Sequence, residues 1–415
     1  MFETIKKGLV LFLALLVTES ALAQAVASDD DQDRIQLNTI TTAVPFLMIS
    51  PDARSGAMGD VGAASDPDGA SIHWNPSKMA FINNKMGFAV SYTPWLRALV
   101  PDINLAYLSG YGKVGKRGMQ TISGSIRYFS LGSITFTDQN GGTIGDFNPN
   151  EFAIDLSYAR KLSEEFSGGI ALRYVFSNLT GGINVGGADT KPGMAGAADI
   201  SFYYRTERIE IADRKTVLSA GLNISNIGSK MSYTQTNEED FIPINFRFGL
   251  GFKYFVDERN SLGLFFDINK LMVPTPPSYL QTEAGLDSLD ANGARIIESG
   301  KDPNRSVPNA MFTSFGDAPG GSAEELREIN LSVGLEYWYN KLFSIRAGYF
   351  HEHYSKGNRQ FFTVGAGIRY NVFGLDFAYL IPTHQRHPLE NTLRFTLTFD
   401  FEAFKKQNDE RPPED

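Results

Sequence analysis

The segment Asn391–Phe401 reads N-T-L-R-F-T-L-T-F-D-F, with Leu393, Phe395, Leu397, Phe399 and Phe401 on one parity and Thr392, Arg394, Thr396, Thr398 and Asp400 on the other. Successive side chains of a strand point to opposite faces. The stretch therefore predicts a strand with one wholly apolar face and one face that carries charge. The alternation recurs along the chain. Phe152, Ile154, Leu156 and Tyr158 oppose Ala153, Asp155 and Ser157; Phe246, Phe248, Leu250, Phe252 and Tyr254 oppose Asn245, Arg247, Gly249, Gly251 and Lys253. Fourteen such segments are predicted, near 87–93, 102–112, 119–131, 151–161, 167–177, 196–206, 216–227, 245–256, 260–270, 329–339, 342–353, 360–370, 372–381 and 391–404. Most match the roughly 9–11 residues a tilted strand needs to cross a bilayer.

The connections alternate between short and long. Val114–Gly118, Ser163–Phe166, Asp257–Asn260 and Tyr339–Leu342 are short, with Thr206–Lys215 of medium length in the same phase; Gly132–Asn150, Asn178–Ala195, Gly228–Ile244 and Leu271–Glu328 are long. Transmembrane barrels show this parity, with short periplasmic turns and long outside loops. Lipid offers no hydrogen bonds, so a spanning sheet must close on itself. The predicted fold is all-β: a fourteen-stranded antiparallel transmembrane barrel over residues 87–404, with a long extracellular loop at 271–328 and a periplasmic tail at 405–415. A soluble sandwich would need all these aromatic faces to share one core. On the inward parity lie Arg127, Asp155, Arg173, Asp199, Arg247, Asp267, Glu336, Arg346, Arg369, Asp376 and Arg394. These are expected to pair across the lumen, because unpaired charge in a confined space is costly.

Residues 24–86 precede the first strand and are expected to begin on the periplasmic side. Their core, S-G-A-M-G-D-V-G-A-A-S-D-P-D-G-A-S, is built of small residues. Small residues let a backbone pack closely, so the segment reads as a plug folded into the barrel. Gly56, Gly59 and Gly62 do not have dinucleotide-loop spacing.

Composition adds compartment and exclusions. Lys6 and Lys7, the apolar run Gly8–Val17 and Ala21-Leu22-Ala23 read as a secretory signal peptide over residues 1–23. The chain has no Cys, which removes disulfides, thiolate chemistry and Cys–metal sites. A net charge of −9 makes nucleic acid an unsuitable partner.

The stretches P-D-A-R-S-G-A-M-G-D-V-G at 51–62, which includes Asp60, and His73-Trp74-Asn75-Pro76-Ser77-Lys78 carry a family resemblance. Asn-Pro after a Gly/Ala run, followed by an apolar-out barrel, resembles the FadL family of outer-membrane proteins, whose hatch carries N-P-A; this chain departs at Ser77. The upstream S-P-D-A-R together with His73-Trp74-Asn75-Pro76 is more similar to the PorV (LptO) branch, an outer-membrane component of the Bacteroidetes type IX secretion system. The resemblance implies a fourteen-stranded barrel with an N-terminal hatch in the outer membrane. It implies a shuttle with four partners: the C-terminal signal domains of secreted cargo, a giant outer-membrane translocon barrel, a sortase-like attachment complex and lipopolysaccharide. A FadL-like carrier of hydrophobic small molecules is the alternative.

Apolar residues in the long loops are the candidate partner surface: Trp95 and Leu96, then Tyr233, Phe241 and Ile242, then Met272, Pro274 and Tyr279. Self-packing of the loops over the barrel mouth competes with that reading. Ser322-Ala323-Glu324-Glu325 predicts a capping box that starts a short helix. His351, His353, His384 and His387 fall in or beside two outside loops without a zinc-type arrangement. No nucleophile–base pair can be argued, so no catalytic residue, metal or cofactor is predicted.

Overall fold

The computed structural model describes residues 37–401, apart from 98–99, 101, 116–117, 138–141, 183–188, 235–238, 284 and 385–387. The predicted signal peptide, the start of the plug segment, His387 and the tail at 405–415 lie outside the described residues. Fourteen strands form one closed antiparallel barrel in chain order. They are β1 Met86–Pro94, β2 Ile103–Val114, β3 Gln120–Leu131, β4 Asn150–Lys161, β5 Phe166–Asn178, β6 Gly193–Ile211 and β7 Arg214–Gly228. The second half comprises β8 Asn245–Phe255, β9 Asn260–Leu271, β10 Asn330–Tyr339, β11 Phe343–His351, β12 Gln360–Tyr370, β13 Phe373–Pro382 and β14 Leu393–Asp400. Closure is made by β1 against β14, from Gly87 opposite Asp400 to Tyr92 opposite Phe395.

Every predicted strand is present. The largest boundary difference is β6, which extends to 193–211; its neighbour β7 carries a bulge against it, where Ala198 pairs with Ile227 but Ile200 with Ile224. Asn226, at φ 60, absorbs the extra residue. Along β4, Ile154 and Leu156 are outward and exposed while Asp155 is buried; along β5, Ile170 and Leu172 are exposed and Arg173 is buried. The apolar belt thus faces lipid and the charges face inward.

The lumen is not open. Residues 43–82 fill it as a 3-10 turn at Pro45–Met48, a short helix α1 (Ala53–Gly56), a second α2 (Ser71–Trp74) and a 3-10 helix at Pro76–Phe81. The plug enters from the long-loop end, contrary to the expected periplasmic start. Asn38 N donates to Ser355 O at 3.0 Å and Ala43 N to Phe241 O at 2.9 Å, and both acceptors belong to long-end loops. Val44, Phe46 and Leu47 pack with Ile103, Leu105, Ile242 and Met272 at that end. Met79, Ala80 and Ile82 pack against Ala159 near the short-turn end, and the chain then turns into β1. The wall is cut away where the plug touches it. A Cβ on Gly348 would overlap Gly59 N and Met58 C, and one on Gly221 would overlap Ala63 O.

Two helices complete the long loop before β10: α3 (Val307–Thr313) and α4 (Gly321–Arg327). The short helix predicted before β10 exists, at 321–327, but Ser322 does not cap it. Gly320 is the N-cap residue, and its amide donates to Glu324 Oε2 at 2.7 Å. Glu325 Oε1 instead accepts from the Asp317 and Ala318 amides at 2.7 and 2.9 Å.

Candidate functional site

The hatch residues form one buried cluster. Asp52 caps α1 by accepting from Ser55 N at 2.9 Å and accepts a second hydrogen bond from the indole N–H of Trp74 at 2.6 Å. The Trp74 ring lies against Gly62, where any side chain would overlap it, and under the guanidinium of Arg247 at 4.4 Å. Asn75 is fully buried and fully used. Its Nδ2 donates to Ala63 O and to Phe202 O, each at 3.0 Å, while Oδ1 accepts from Ser77 N at 3.1 Å and Ser77 Oγ at 2.5 Å. Pro76 opens the 3-10 helix that follows, where the missing N–H costs nothing. The Nδ1 of His73 accepts from Arg127, whose other amino group donates to Leu47 O at 2.8 Å.

The inward charges do not pair directly across the lumen as expected, because the plug, itself expected, occupies the middle. They pair with wall neighbours and with the plug. One chain of ion pairs follows the wall from β4 to β6: Asp155–Arg173 at 2.5 Å and Arg173–Asp199 at 3.2 Å, with Arg173 also donating to Asn226. A second runs from β10 to β13: Glu336–Arg346 and Arg346–Asp376, both 2.8 Å, then Asp376–Arg369 at 2.6 Å, with Arg369 partly exposed. Asp267 grips the plug backbone, accepting from Gly62 N at 2.7 Å and Ala63 N at 2.9 Å. Arg394 reaches Asp60 at 3.0 Å.

Sequence reading missed the plug's own charges. Arg54 forks onto Glu336 with both bonds at 2.9 Å and reaches Asp68 at 2.8 Å. Asp66 receives Arg205 at 2.5 Å and Lys253 at 2.6 Å. The motif P-D-A-R contains Arg54, but an aperiodic segment gives no parity from which to read its direction.

Below the plug, at the short-turn end, lies a vestibule of about 1030 Å³ edged by Lys161, Arg205, Lys253, Trp338 and Arg369. A cavity of about 60 Å³ remains nearer the long loops, beside Asp60, Trp74 and Arg247. Buried Asp52, Arg54, Gly62 and Trp74 fill the plug in this region.

The candidate loop residues are largely interior, which corrects their reading as an exposed partner surface. Phe241, Ile242, Met272 and Pro274 are buried, and Trp95, Leu96 and Tyr233 pack partly buried against the same core. The apolar start of the plug, Val44, Phe46 and Leu47, gives them something to cover. Tyr279 is half-buried beneath Arg295. The exposed apolar side chains of the long loop are Leu280, Leu286, Leu289, Phe312, Phe315 and Leu326. Among the described residues no group of three or more His, Cys, Asp or Glu is placed to hold a metal.

Charge also organises the loop end. Burial works against ionisation of Glu324, but Lys356, the Gly320 amide and Asn38 outweigh it and hold its carboxyl below the usual range. Burial, followed by the charges of Arg327, His351 and Lys356, pushes His353 down to about 4.

Residues 30–278 match the family model of the type IX secretion system protein PorV, which is more than half of the chain. The chain belongs to the PorV family. No curated protein is similar enough in sequence to be paired with it. Among solved structures, the Pseudomonas putida toluene transporter TodX aligns at 12% identity over 88% of this chain and 98% of its own, with a TM-score of 0.47. The Ralstonia pickettii toluene transporter TbuX gives 11% identity, 84% and 97% coverage and 0.45. A Pseudomonas aeruginosa FadL homologue gives 12%, 88% and 99%, and 0.40. The fold assignment rests on the strand pairing of the chain itself. Together, the closed barrel and the PorV membership make this an outer-membrane component of type IX secretion, a secretion barrel by family.

Proposed function

We propose that this PorV-family barrel is a docking and shuttle protein. It receives the C-terminal signal domain of cargo at the translocon and passes it to a sortase-like attachment complex at the cell surface. The family match supports the secretion setting. The observation that carries the shuttle reading over a conduit is the seated plug: Arg54 on Glu336 of β10, Arg394 of β14 on Asp60 and Asp267 of β9 on two plug amides fix it to the wall. A barrel so stoppered works through its outer surfaces, and cargo contacts then fall to the loop end. The protein should be exported by a cleaved signal peptide. Purification from the native membrane tests the reading: secreted proteins that retain their C-terminal domains should co-purify. Bound fatty acid with no cargo would favour a carrier of hydrophobic small molecules.

A further inference from the structure

The outward column of β9 runs Leu262, Leu264, Phe266 and Ile268 and ends on Lys270 at the long-loop rim. A lysine ending such a column should reach for water, yet Lys270 is 4% exposed. Two carboxylates cover it, Glu325 at 3.0 Å and Glu328 at 2.5 Å. Glu328 also accepts from Lys356 at 3.0 Å and from the Thr275 hydroxyl at 2.7 Å. Helix α4 and its C-cap residue, Glu328, are thus pinned to the rim at the end of β9.

The segment leading into α4 carries Phe315. Its ring meets Phe246 of β8 edge to face, with centroids 6.3 Å apart, and lies 5.6 Å from the Lys270 ammonium. Phe246 begins the outward column Phe246, Phe248, Leu250 and Phe252, so Phe315 prolongs a lipid-facing surface beyond the end of its strand. Phe315 stays 52% exposed, and Phe312, three residues earlier, is 79% exposed. Their neighbours Ala310 and Met311 are buried in the loop core, so the two rings are presented outward from a fixed base.

We propose that residues 307–328 form a membrane-boundary lobe: Phe312 and Phe315 enter the outer leaflet where acyl chains meet head groups, and the Lys270–Glu325–Glu328–Lys356 cluster holds the lobe at that depth. Aromatic rings favour that boundary. Lipid is the occupant because the surface is continuous with the belt that lipid already covers. The exposed Leu286 and Leu289 lie on a separate hairpin among Glu283, Asp287 and Asp290, whose charges belong in water.

The absence of cysteine allows a clean test. Single variants Phe312→Cys, Phe315→Cys, Leu250→Cys and Leu286→Cys are spin-labelled in phosphatidylethanolamine–phosphatidylglycerol vesicles. Collision rates are then measured with oxygen, which concentrates in the bilayer, and with a water-soluble nickel chelate. The oxygen-to-nickel ratio at 312 and 315 should lie well above that of Leu286→Cys and approach that of Leu250→Cys. Glu328→Gln added to Phe312→Cys should move the label toward water. Phe312 is so exposed that its replacement leaves folding intact, so the test stands even if the Phe315 variant misfolds. Labels at 312 as water-exposed as Leu286→Cys would overturn the proposal.

Discussion

Arg394 on the last strand donates to Asp60 of the plug at 3.0 Å, and its guanidinium lies where any side chain on Gly56 would have to go. The two residues are 334 positions apart in sequence. The final strand therefore locks onto the plug that precedes the first strand, and the small residue at 56 is what lets the arginine pass.

Arg394→Ala should loosen the plug. Removing one partner of a sealed ion pair costs about 3–5 kcal/mol. Asp60 keeps 18% side-chain exposure, so the lower end of that range applies. The temperature at which the folded band on unheated gels converts to the unfolded one should fall. An unchanged conversion temperature would show that the pair contributes nothing.

Asn75→Asp should be worse than Asn75→Ala. Alanine removes the side-chain donor to Ala63 O and Phe202 O and the acceptor used by Ser77, and a buried polar group left unsatisfied costs about 1–3 kcal/mol. Aspartate adds a carboxylate facing those same oxygens of Ala63 and Phe202. Melting followed by intrinsic fluorescence in detergent checks the order; equal melting points would refute the role given to the Asn75 amide.

The direction of the plug is testable on intact cells. Leu37 is 71% exposed at the long-loop end, whereas Asn83 is exposed at the short-turn end. A membrane-impermeant maleimide should label Leu37→Cys and leave Asn83→Cys unmodified until the cells are opened. The reverse pattern would mean that the plug enters from the periplasm.

Loop 352–359 should loosen in mild acid. His353 titrates near 6.5 when unfolded and at about 4 when folded, so the folded loop favours the neutral ring. That stability is present above about pH 6.5 and is lost as pH falls toward about 4. The neutral Nδ1 accepts from Ser355 N at 3.3 Å, a bond that protonation removes. Amide exchange of residues 353–358 should accelerate over that window in the parent and not in His353→Gln; parallel profiles would rule out His353 as the cause.

The barrel was legible because lipid imposes a strict rule: on Leu393–Phe401 every second residue is apolar, and no soluble core demands such regularity over fourteen strands. Inward parity likewise placed Asp155, Arg173 and Glu336 in the lumen. Their partners were not legible. Parity says which face a residue occupies, whereas pairing depends on what else fills the space, and the plug has no period to read. The same gap hid Arg54 and reversed the expected entry of the chain. Loop hydrophobicity misled for a related reason: Phe241 and Ile242 look surplus to a solvated loop, but Val44 and Phe46, far earlier in the chain, arrive to be covered by them. The bulge at Asn226 left a weaker trace, since Asn is among the residues that tolerate positive φ.

Electrical conductance across a planar bilayer most directly tests whether the lumen is stoppered. The parent barrel should be silent, and a chain carrying both Arg54→Ala and Arg394→Ala, which lacks two of the wall contacts of the plug, should show stepwise current. Steady conductance steps from the parent protein would contradict the account.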